Sequence, residues 1–160
     1  MTDTKPDVPT EITPRIIYRD CLSSKKKALE SIATAMAADA DLSIGDILDA
    51  FMKRERLGST NFGHGIAIPH GRLASCKKPI GVLLIVDQCM CDNPDKEPVD
   101  LIFGLIVPEN ACEEHNVLLQ SIASLSEASE ALKVLRTEKD PLKLYKWIKS
   151  TNPRIAEILV

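Results

Sequence analysis

Two uninterrupted apolar segments constrain the fold of this chain more than any other feature of its sequence. They are PIGVLLIVD at residues 79–87 and LIFGLIV at residues 101–107. Strands that are covered on both faces have continuous apolar sequences, whereas half-exposed strands alternate apolar and polar residues. Both segments are far shorter than the roughly 20 residues that a membrane-spanning helix needs. We therefore predict two buried strands with helices on both faces of their sheet, and no membrane insertion.

Helical periodicity and capping residues surround these strands. Candidate N-caps precede three helical segments: Ser23 or Ser24, Ser43, and Asp140. A fourth helix is predicted from Glu113. The apolar stripes of two of these helices are Ile44, Ile47, Leu48 and Phe51 after Ser43, and Val117, Leu118, Ile122 and Leu125 after Glu113. Residues 15–21 and 66–68 predict short strands. Because helices and strands come in blocks, the predicted fold is α/β, a mixed β-sheet sandwiched by helices on both sides in a single domain.

The two ends of the chain differ in composition from this body. Residues 1–12 are rich in Thr, Pro and Asp and cannot bury much apolar surface, which predicts a flexible N-terminal tail. Residues 13–150 are expected to form the folded domain. Residues 151–160 are expected to be a C-terminal tail.

Charge and cysteine content exclude several classes of protein. The 20 Lys and Arg residues against 23 Asp and Glu residues give a net charge of −3, which does not fit a nucleic-acid-binding protein. The N-terminus has no apolar segment typical of a signal peptide, so a cytoplasmic protein is expected. The five cysteines are an odd number and scattered, which favours reduced thiols. Cys89 and Cys91 have no neighbouring histidine to complete a zinc site, and no metal site is predicted.

A glycine-rich segment, GSTNFGHGIAIPHG at residues 58–71, holds four of the seven glycines of the chain. Such clustering marks a tight turn or a loop that lets the main chain approach a ligand closely. The segment lacks the third glycine of a dinucleotide-binding fingerprint and the lysine of an ATP-binding P-loop. It also lacks the G-x-S-x-G elbow of acyl-transfer enzymes. These three kinds of site are therefore excluded.

His70 is the chemically most informative residue of this segment. It stands between Pro69 and Gly71 at the end of the short strand 66–68, where we expect it to be presented to solvent. A neutral imidazole is a nucleophile near pH 7. If the electrophile were a phosphoryl group, the hydroxyls of Ser59 and Thr60 and the backbone N–H groups of the glycine loop could hold its oxygens. The alternative is that His70 merely packs at a strand end.

Several segments, taken together, resemble the mannitol/fructose-type IIA family of the bacterial phosphoenolpyruvate phosphotransferase system, and within it the nitrogen-regulatory members. They are Arg54-Glu55 followed by Gly58-Ser59-Thr60, GIAIPHG at residues 65–71, PVDLIFGLIVP at residues 98–108, and His115 followed by LLQSIASL. The resemblance runs from about residue 15 to about residue 149. Their order and spacing are those of the family.

The resemblance implies a set of site residues. His70 falls on the family's phosphorylated histidine, and the expected product is an Nε2-phosphohistidine. His115 falls on a second histidine near the phosphoryl group; the alternative is a solvent-exposed helix residue. Arg54 falls on an arginine that neutralises phosphoryl oxygens, and Arg56 is a less favoured stand-in; the alternative is that Arg54 is a solvent-exposed arginine at a helix end. Gly63 and Gly65 belong to the loop expected to bind the phosphoryl group together with Ser59 and Thr60. His64 is expected to be a solvent-facing bystander.

A protein of this kind is docked by other proteins, which favours an accessible apolar rim around the histidine. The candidates for this docking rim are Phe62, Ile66 and Leu73. The resemblance implies an HPr-like phosphocarrier as the donor, regulated target proteins as further partners, and no cofactor.

The function that follows is a phosphoryl-carrier regulatory protein that signals by its phosphorylation state in nitrogen- or potassium-related regulation. The sequence has no permease or HPr-like domain, which favours this reading over a sugar-specific IIA component that passes phosphate to a membrane permease. A third alternative is a non-catalytic metal-binding or interaction module that uses His64, His70 and His115. Only the phosphotransferase readings assign the chain a transferase reaction.

Overall fold

The computed structural model describes residues 13–90, 98–110 and 112–160, and the predicted N-terminal tail lies outside these ranges. The described residues form a six-stranded mixed sheet. Its strands are β1 (Ile16–Arg19), β2 (Asn61–Gly63), β3 (Ile66–Ala67), β4 (His70–Leu73), β5 (Ile80–Met90) and β6 (Val99–Pro108). The two predicted apolar strands are thus confirmed as β5 and β6.

β5 and β6 pair antiparallel at the centre of the sheet, in the order β1-β5-β6-β3-β2. β1 runs parallel to β5 on one side. On the other side, β6 pairs in parallel with two short strands in succession, first β3 and then β4. Pro69 cannot donate a hydrogen bond, and it lies in the break between these two strands. This break positions His70 as the first residue of β4.

Six helices cover the sheet in the described residues. They are α1 (Lys25–Asp39), α2 (Ile44–Glu55), α3 (Cys112–Leu125), α4 (Ser129–Thr137), α5 (Pro141–Thr151) and α6 (Pro153–Ile158). Ser24, Ser43 and Asp140 are the N-caps of α1, α2 and α5, and each side chain accepts a backbone N–H of the first turn. Three predicted helix starts are therefore confirmed.

Each face of the sheet has its own apolar core, because successive side chains of a strand point to opposite faces. One face packs on α3, α4, α5 and α6; its strand residues include Leu83, Ile85, Leu101, Phe103, Leu105 and Val107. The other face packs on α1 and α2; its strand residues include Val82, Leu84, Val86, Ile102 and Ile106. The predicted mixed sheet with helices on both sides is confirmed.

The expectation of a C-terminal tail at residues 151–160 is wrong. The segment forms α6, whose Ile155 and Ala156 are buried in the core. Arg15 holds the segment to the sheet, because its guanidinium donates to the carbonyls of Ile158 and Val160 as well as to that of Gly81.

Two residues of the predicted apolar stripes do not lie in the core. Ile44 and Val117 are exposed, because Ile44 opens α2 beyond the edge of the core and Val117 lies on the outer side of α3 next to buried Leu118. Among the described residues, no helix is both long enough and apolar enough to cross a bilayer.

Candidate functional site

His70 lies where β4 begins, paired with Leu105 of β6. Its predicted exposure is wrong, since only 8% of the residue is accessible to solvent. The ring is covered by two side chains, Arg54 of α2 and His115 of α3. The nucleophile predicted from sequence is therefore a nearly buried group with a small opening.

The hydrogen bonds of His70 define which ring nitrogen is reactive. Its Nδ1 lies 2.7 Å from the backbone carbonyl oxygen of Ile68. A carbonyl can only accept, so Nδ1 carries the proton and the neutral ring has its lone pair on Nε2. Arg54 donates from Nε to this Nε2 atom at 3.3 Å. The available nucleophilic atom is therefore Nε2.

The electrostatic surroundings keep the His70 ring neutral. Burial is the largest cause that lowers the pKa of His70, and the charges of Arg54 and Arg72 lower it further. The Ile68 carbonyl and the Glu55 carboxylate act in the opposite direction. Because the net shift is downward from 6.5, the ring is unprotonated at neutral pH. A neutral ring is the form that can attack an electrophile.

His115 lies beside His70 and is buried, with 6% of the residue exposed. It stands in the first turn of α3, and the two rings meet edge to face with centroids 5.1 Å apart. The alternative of a solvent-exposed histidine is therefore wrong. Burial, then the neighbouring His70, Arg72 and Arg54, lower the pKa of His115 to about 4. Its Nδ1 is a buried polar atom without a hydrogen-bond partner in the part of the chain that the structure describes.

Arg54 reaches His70 from the last turn of α2. A second donor, Nη1, bonds to the carbonyl of Gly58 at 3.1 Å, which aims the guanidinium across the ring. The close approach of α2 to β4 depends on Gly71, because a Cβ there would lie 2.9 Å from the Cβ of Ala50. Arg56 is exposed at the C-cap of α2 and is not the residue that meets the ring in this structure.

The sequence analysis missed Arg72. This residue lies two positions after His70 on β4, so both side chains leave the strand on the same face. Its Nη1 donates to the carbonyl of Glu109 in the turn before α3 at 3.4 Å. The charge of Arg72 acts on both histidines. The alternation of strand residues after the histidine was the signal that could have found it.

The predicted phosphoryl-binding loop divides into parts with different contacts. The Ser59 hydroxyl is exposed and accepts from the backbone N–H of Asn61 at 3.1 Å, which leaves its own proton to donate. Thr60 is buried, and its hydroxyl lies 2.5 Å from Oε2 of Glu55. A carboxylate can only accept, so the Thr60 proton is already engaged.

Gly63, the last residue of β2, and Gly65, in the turn before β3, have positive φ angles of 88° and 81°. No side chain can be accommodated at Gly65, because a Cβ would lie 2.5 Å from both Arg136 and Asp100. His64 is exposed at the tip of this turn with φ 55°, and its carbonyl accepts from Arg136. His64 thus faces solvent as expected, and its role as a bystander stays a prediction.

The predicted docking rim is corrected at one position. Ile66 is completely buried in the core, because β3 lies between β2 and β6. Leu73 is half-buried at the end of β4. The side chain of Phe62 is outside what the structure describes. Leu73 and Phe62 therefore remain predictions as docking residues.

The metal-binding alternative receives no support from the described part of the chain. Within it, no group of three or more His, Cys, Asp or Glu side chains is close enough together to hold a metal ion. Cys91 and the side chain of Cys89 lie outside the described residues. The arrangement around His70 instead offers a lone pair, a guanidinium and a neutral second imidazole, which suits attack on an anionic electrophile.

Comparison with known proteins agrees with this arrangement. Residues 13–151 match the family described as phosphoenolpyruvate-dependent sugar phosphotransferase system, EIIA 2. A nitrogen regulatory protein of Pseudomonas aeruginosa is 42% identical over 127 residues, which are 78% of this chain and 82% of the relative. That of Escherichia coli K12 is 33% identical over 145 residues, 86% of this chain and 89% of the relative.

Solved structures give the same result for the fold. The crystal structure of nitrogen regulatory protein IIA-Ntr from Neisseria meningitidis superposes with a TM-score of 0.74 at 32% identity, covering 91% of this chain and 92% of that one. The mannitol IIA protein of Escherichia coli shares the fold, with a TM-score of 0.66 at 17% identity over 91% of this chain and 96% of that one. The class of protein is thus an EIIA-type domain. Within that class, the chain belongs to the EIIA 2 family of the phosphoenolpyruvate-dependent phosphotransferase system.

Proposed function

We propose that this protein is a phosphoryl-carrier regulator, which accepts a phosphoryl group from an HPr-like phosphocarrier onto Nε2 of His70. Its phosphorylation state would then act as the signal in nitrogen- or potassium-related regulation. The observation that supports this most is the pair of hydrogen bonds at His70. Ile68 engages the Nδ1 proton, and the lone pair of Nε2 faces the guanidinium of Arg54.

The transfer is an in-line displacement at phosphorus. The Nε2 lone pair of His70 attacks the phosphorus of the donor's phosphohistidine and forms a new P–N bond. The bond between phosphorus and the donor nitrogen breaks, and its electron pair returns to the donor ring. No proton has to leave Nε2, because the neutral ring carries its proton on Nδ1.

The surrounding side chains stabilise the charge on the transferring group. Arg54 gives up its contact with the lone pair and binds phosphoryl oxygens, for which its planar guanidinium is suited. The exposed Ser59 hydroxyl and the backbone of the glycine loop offer further donors. The ring of His115 contacts that of His70. It places a polar group beside the phosphoryl group, and because it carries no negative charge it does not repel the phosphoryl oxygens. The pathway needs no metal or cofactor within the protein.

The test is uptake of acid-labile phosphate from phosphoenolpyruvate in the presence of enzyme I and an HPr-type carrier. The wild-type protein takes up phosphate, and His70→Ala takes up none. His64→Asn is the control, because it replaces the exposed histidine of the same loop by a residue that tolerates the positive φ of that position. Uptake by His70→Ala at the wild-type rate would overturn the assignment of the acceptor.

Regulation is favoured over sugar transport by the relatives that this chain matches over most of their length, which are nitrogen regulatory proteins. The sugar alternative is represented by the mannosylglycerate-specific EIIABC component of Escherichia coli, 29% identical over 121 residues and covered to only 18% of its length. The two functions are separated by offering the phosphorylated protein to fructose- and mannitol-specific IIB domains. Rapid transfer to either domain would support the sugar carrier, and retention of the phosphoryl group supports the regulator.

A further inference from the structure

A continuous series of hydrogen bonds leads from Glu55, at the end of α2, to the ring of His70. We propose that Glu55, acting through Thr60, is a positioning residue that fixes the reactive tautomer of His70. The inference rests on the proposed role of His70 as phosphoryl acceptor. It gives Thr60 a different role from that of the phosphoryl ligand expected from the sequence.

The first part of the series is an anchored carboxylate. The side chain of Glu55 is 16% exposed, and its two oxygens have separate partners. Oε1 accepts from the ammonium group of Lys25 at the start of α1, at 2.8 Å, and Oε2 accepts from the hydroxyl of Thr60 at 2.5 Å. Lys25 also lies 3.3 Å from the side-chain oxygen of Asn61. Glu55 thereby ties the loop after α2 to two helices.

The second part runs along the backbone to the histidine. The carbonyl of Thr60 accepts the N–H of Ile68 at 2.9 Å. The carbonyl of the same Ile68 accepts Nδ1–H of His70 at 2.7 Å. The Ile68 carbonyl holds the ring in one tautomer, so whatever fixes the backbone on both sides of the Ile68 Cα also fixes the location of the lone pair on Nε2. Thr60 is buried and does so through its main chain, while Glu55 fixes Thr60 through its side chain.

Glu55 could affect His70 in two ways, by placing its ring and by changing its pKa, and the charge of Glu55 allows the two effects to be separated. The carboxylate raises the pKa of His70 against the effect of burial. Replacing it by an amide therefore leaves more of the ring neutral, which by itself does not slow a nucleophilic attack at neutral pH. A slower reaction in Glu55→Gln thus reports on the placement of the ring.

The experiment compares variants that change one bond of the series. Glu55→Gln removes the charge and keeps the shape, Thr60→Val removes the hydroxyl and keeps the shape, and Thr60→Ser restores a hydroxyl. Glu30→Gln is the matched control, because this carboxylate on α1 has a side chain that is 41% exposed and forms a long ion pair, 3.9 Å, with Lys27 of the same helix. Uptake of phosphate is measured over a range of HPr-type donor concentrations. In parallel, ¹⁵N NMR of the His70 ring measures the ratio of the two neutral tautomers.

The expected results combine kinetics and spectroscopy. Uptake at saturating donor falls about tenfold in Glu55→Gln and in Thr60→Val, with little change in the donor concentration for half-maximal rate. The double variant is no slower than the slower single variant, since Glu55→Gln weakens and Thr60→Val removes the same bond. The Nε2–H tautomer becomes detectable in both variants, whereas Thr60→Ser and Glu30→Gln resemble the wild type.

The inference is overturned if both isosteric variants keep the wild-type rate and the Nδ1–H tautomer alone. If one of them fails to fold, the other and Thr60→Ser still decide. Failure of the proposed function is a different result, in which the wild-type protein itself takes up no phosphate. The tautomer ratio then continues to test whether Glu55 and Thr60 position the ring.

Discussion

The rings of His70 and His115 meet edge to face, with centroids 5.1 Å apart and ring planes inclined by 76°. Burial is the main cause that lowers the pKa of both rings below 6.5. Two neutral imidazoles can lie side by side here, whereas two imidazolium ions would repel each other. A phosphoryl group on His70 would reverse this balance, because it brings about −1.5 to −2 charges to the site.

We predict that phosphorylation of His70 raises the pKa of His115 from about 4 toward the ordinary value of 6.5. The physical reason is that a nearby anion stabilises the protonated ring. NMR titration of the His115 ring measures the shift in the free and the phosphorylated protein. An unchanged titration would show that the phosphoryl group points away from His115.

We predict that the free energy of unfolding falls as the pH drops from about 6.5 to about 4. In this interval the unfolded chain binds a proton at His115 and the folded protein does not, so acid favours unfolding. The contribution of His115 is fully present above pH 6.5, and its loss across the interval is on the order of 3 kcal/mol. The lowered pKa of His70 acts in the same direction.

Chemical denaturation at several pH values measures this loss. His115→Gln should show a weaker dependence on pH than the wild type, and His64→Asn should keep the wild-type dependence. Equal slopes in all three proteins would contradict the assignment.

We predict that Arg54→Ala lowers the rate of phosphate uptake by about 100-fold, because a guanidinium that meets the reactive nitrogen is lost. Arg54→Lys recovers part of the rate, since an ammonium group keeps the charge but lacks the planar pair of donors. The matched control is Arg56→Ala, an exposed arginine two residues later that should react like the wild type. If Arg56→Ala loses most of the uptake rate and Arg54→Ala keeps it, Arg56 and not Arg54 is the residue that binds the phosphoryl oxygens.

We predict that Gly71→Ala destabilises the protein by about 1–3 kcal/mol, as overpacking of a close contact does. The new Cβ would lie 2.9–3.1 Å from Cβ and backbone atoms of Ala50, and the backbone cannot move aside cheaply. Since α2 supplies Arg54, the displacement should also slow phosphate uptake. Denaturant unfolding and the uptake assay measure the two effects.

Two further variants test the reason given for Gly71. Ala50→Gly in the Gly71→Ala background should restore part of the lost uptake rate, because it removes the clashing Cβ. Gly45→Ala in the same helix should be tolerated, since its Cβ would meet only Ser43 Oγ at 3.9 Å. Equal losses in Gly45→Ala and Gly71→Ala would argue against the contact with Ala50.

We predict that Arg72→Ala raises the pKa of both histidines, because it removes a positive charge that lowers them. Both pKa values should stay below 6.5, because burial still lowers them. The acid limb of the pH profile of phosphate uptake should move to higher pH. Arg72→Lys should keep both pKa values near those of the wild type. An unshifted NMR titration in Arg72→Ala would show that this charge does not reach the rings.

The parts of the fold that follow from local signals could be predicted from sequence. Ser24, Ser43 and Asp140 each predict the start of a helix, because the capping hydrogen bond is made within one turn of the chain. α4 was missed, because Ala128 at its N-cap makes no such bond. α6 carries local signals as well, since Asn152 caps it and Pro153 begins it, but a helix of only six residues depends on the packing of Ile155 and its neighbours, which the sequence does not reveal.

The site itself was only partly predictable, because its geometry depends on contacts between distant segments. The loop motif pointed to His70, but the side chains that cover its ring, Arg54 of α2 and His115 of α3, come from distant segments. Ile66 has the composition of a docking residue, yet pairing of β3 between two strands places it in the core. The bond from Thr60 to Glu55 has no signature in the sequence, since either residue could equally face solvent.

The anchor of the reactive ring belongs to its own short stretch of chain, because Nδ1 of His70 is held by the carbonyl two residues earlier. Anchor and ring therefore move together whenever the sheet edge fluctuates. This hydrogen bond holds the imidazole in one orientation relative to the strand. Under the proposed function, transfer of a phosphoryl group would then require the two proteins to align with each other, without a prior search among orientations of the His70 ring.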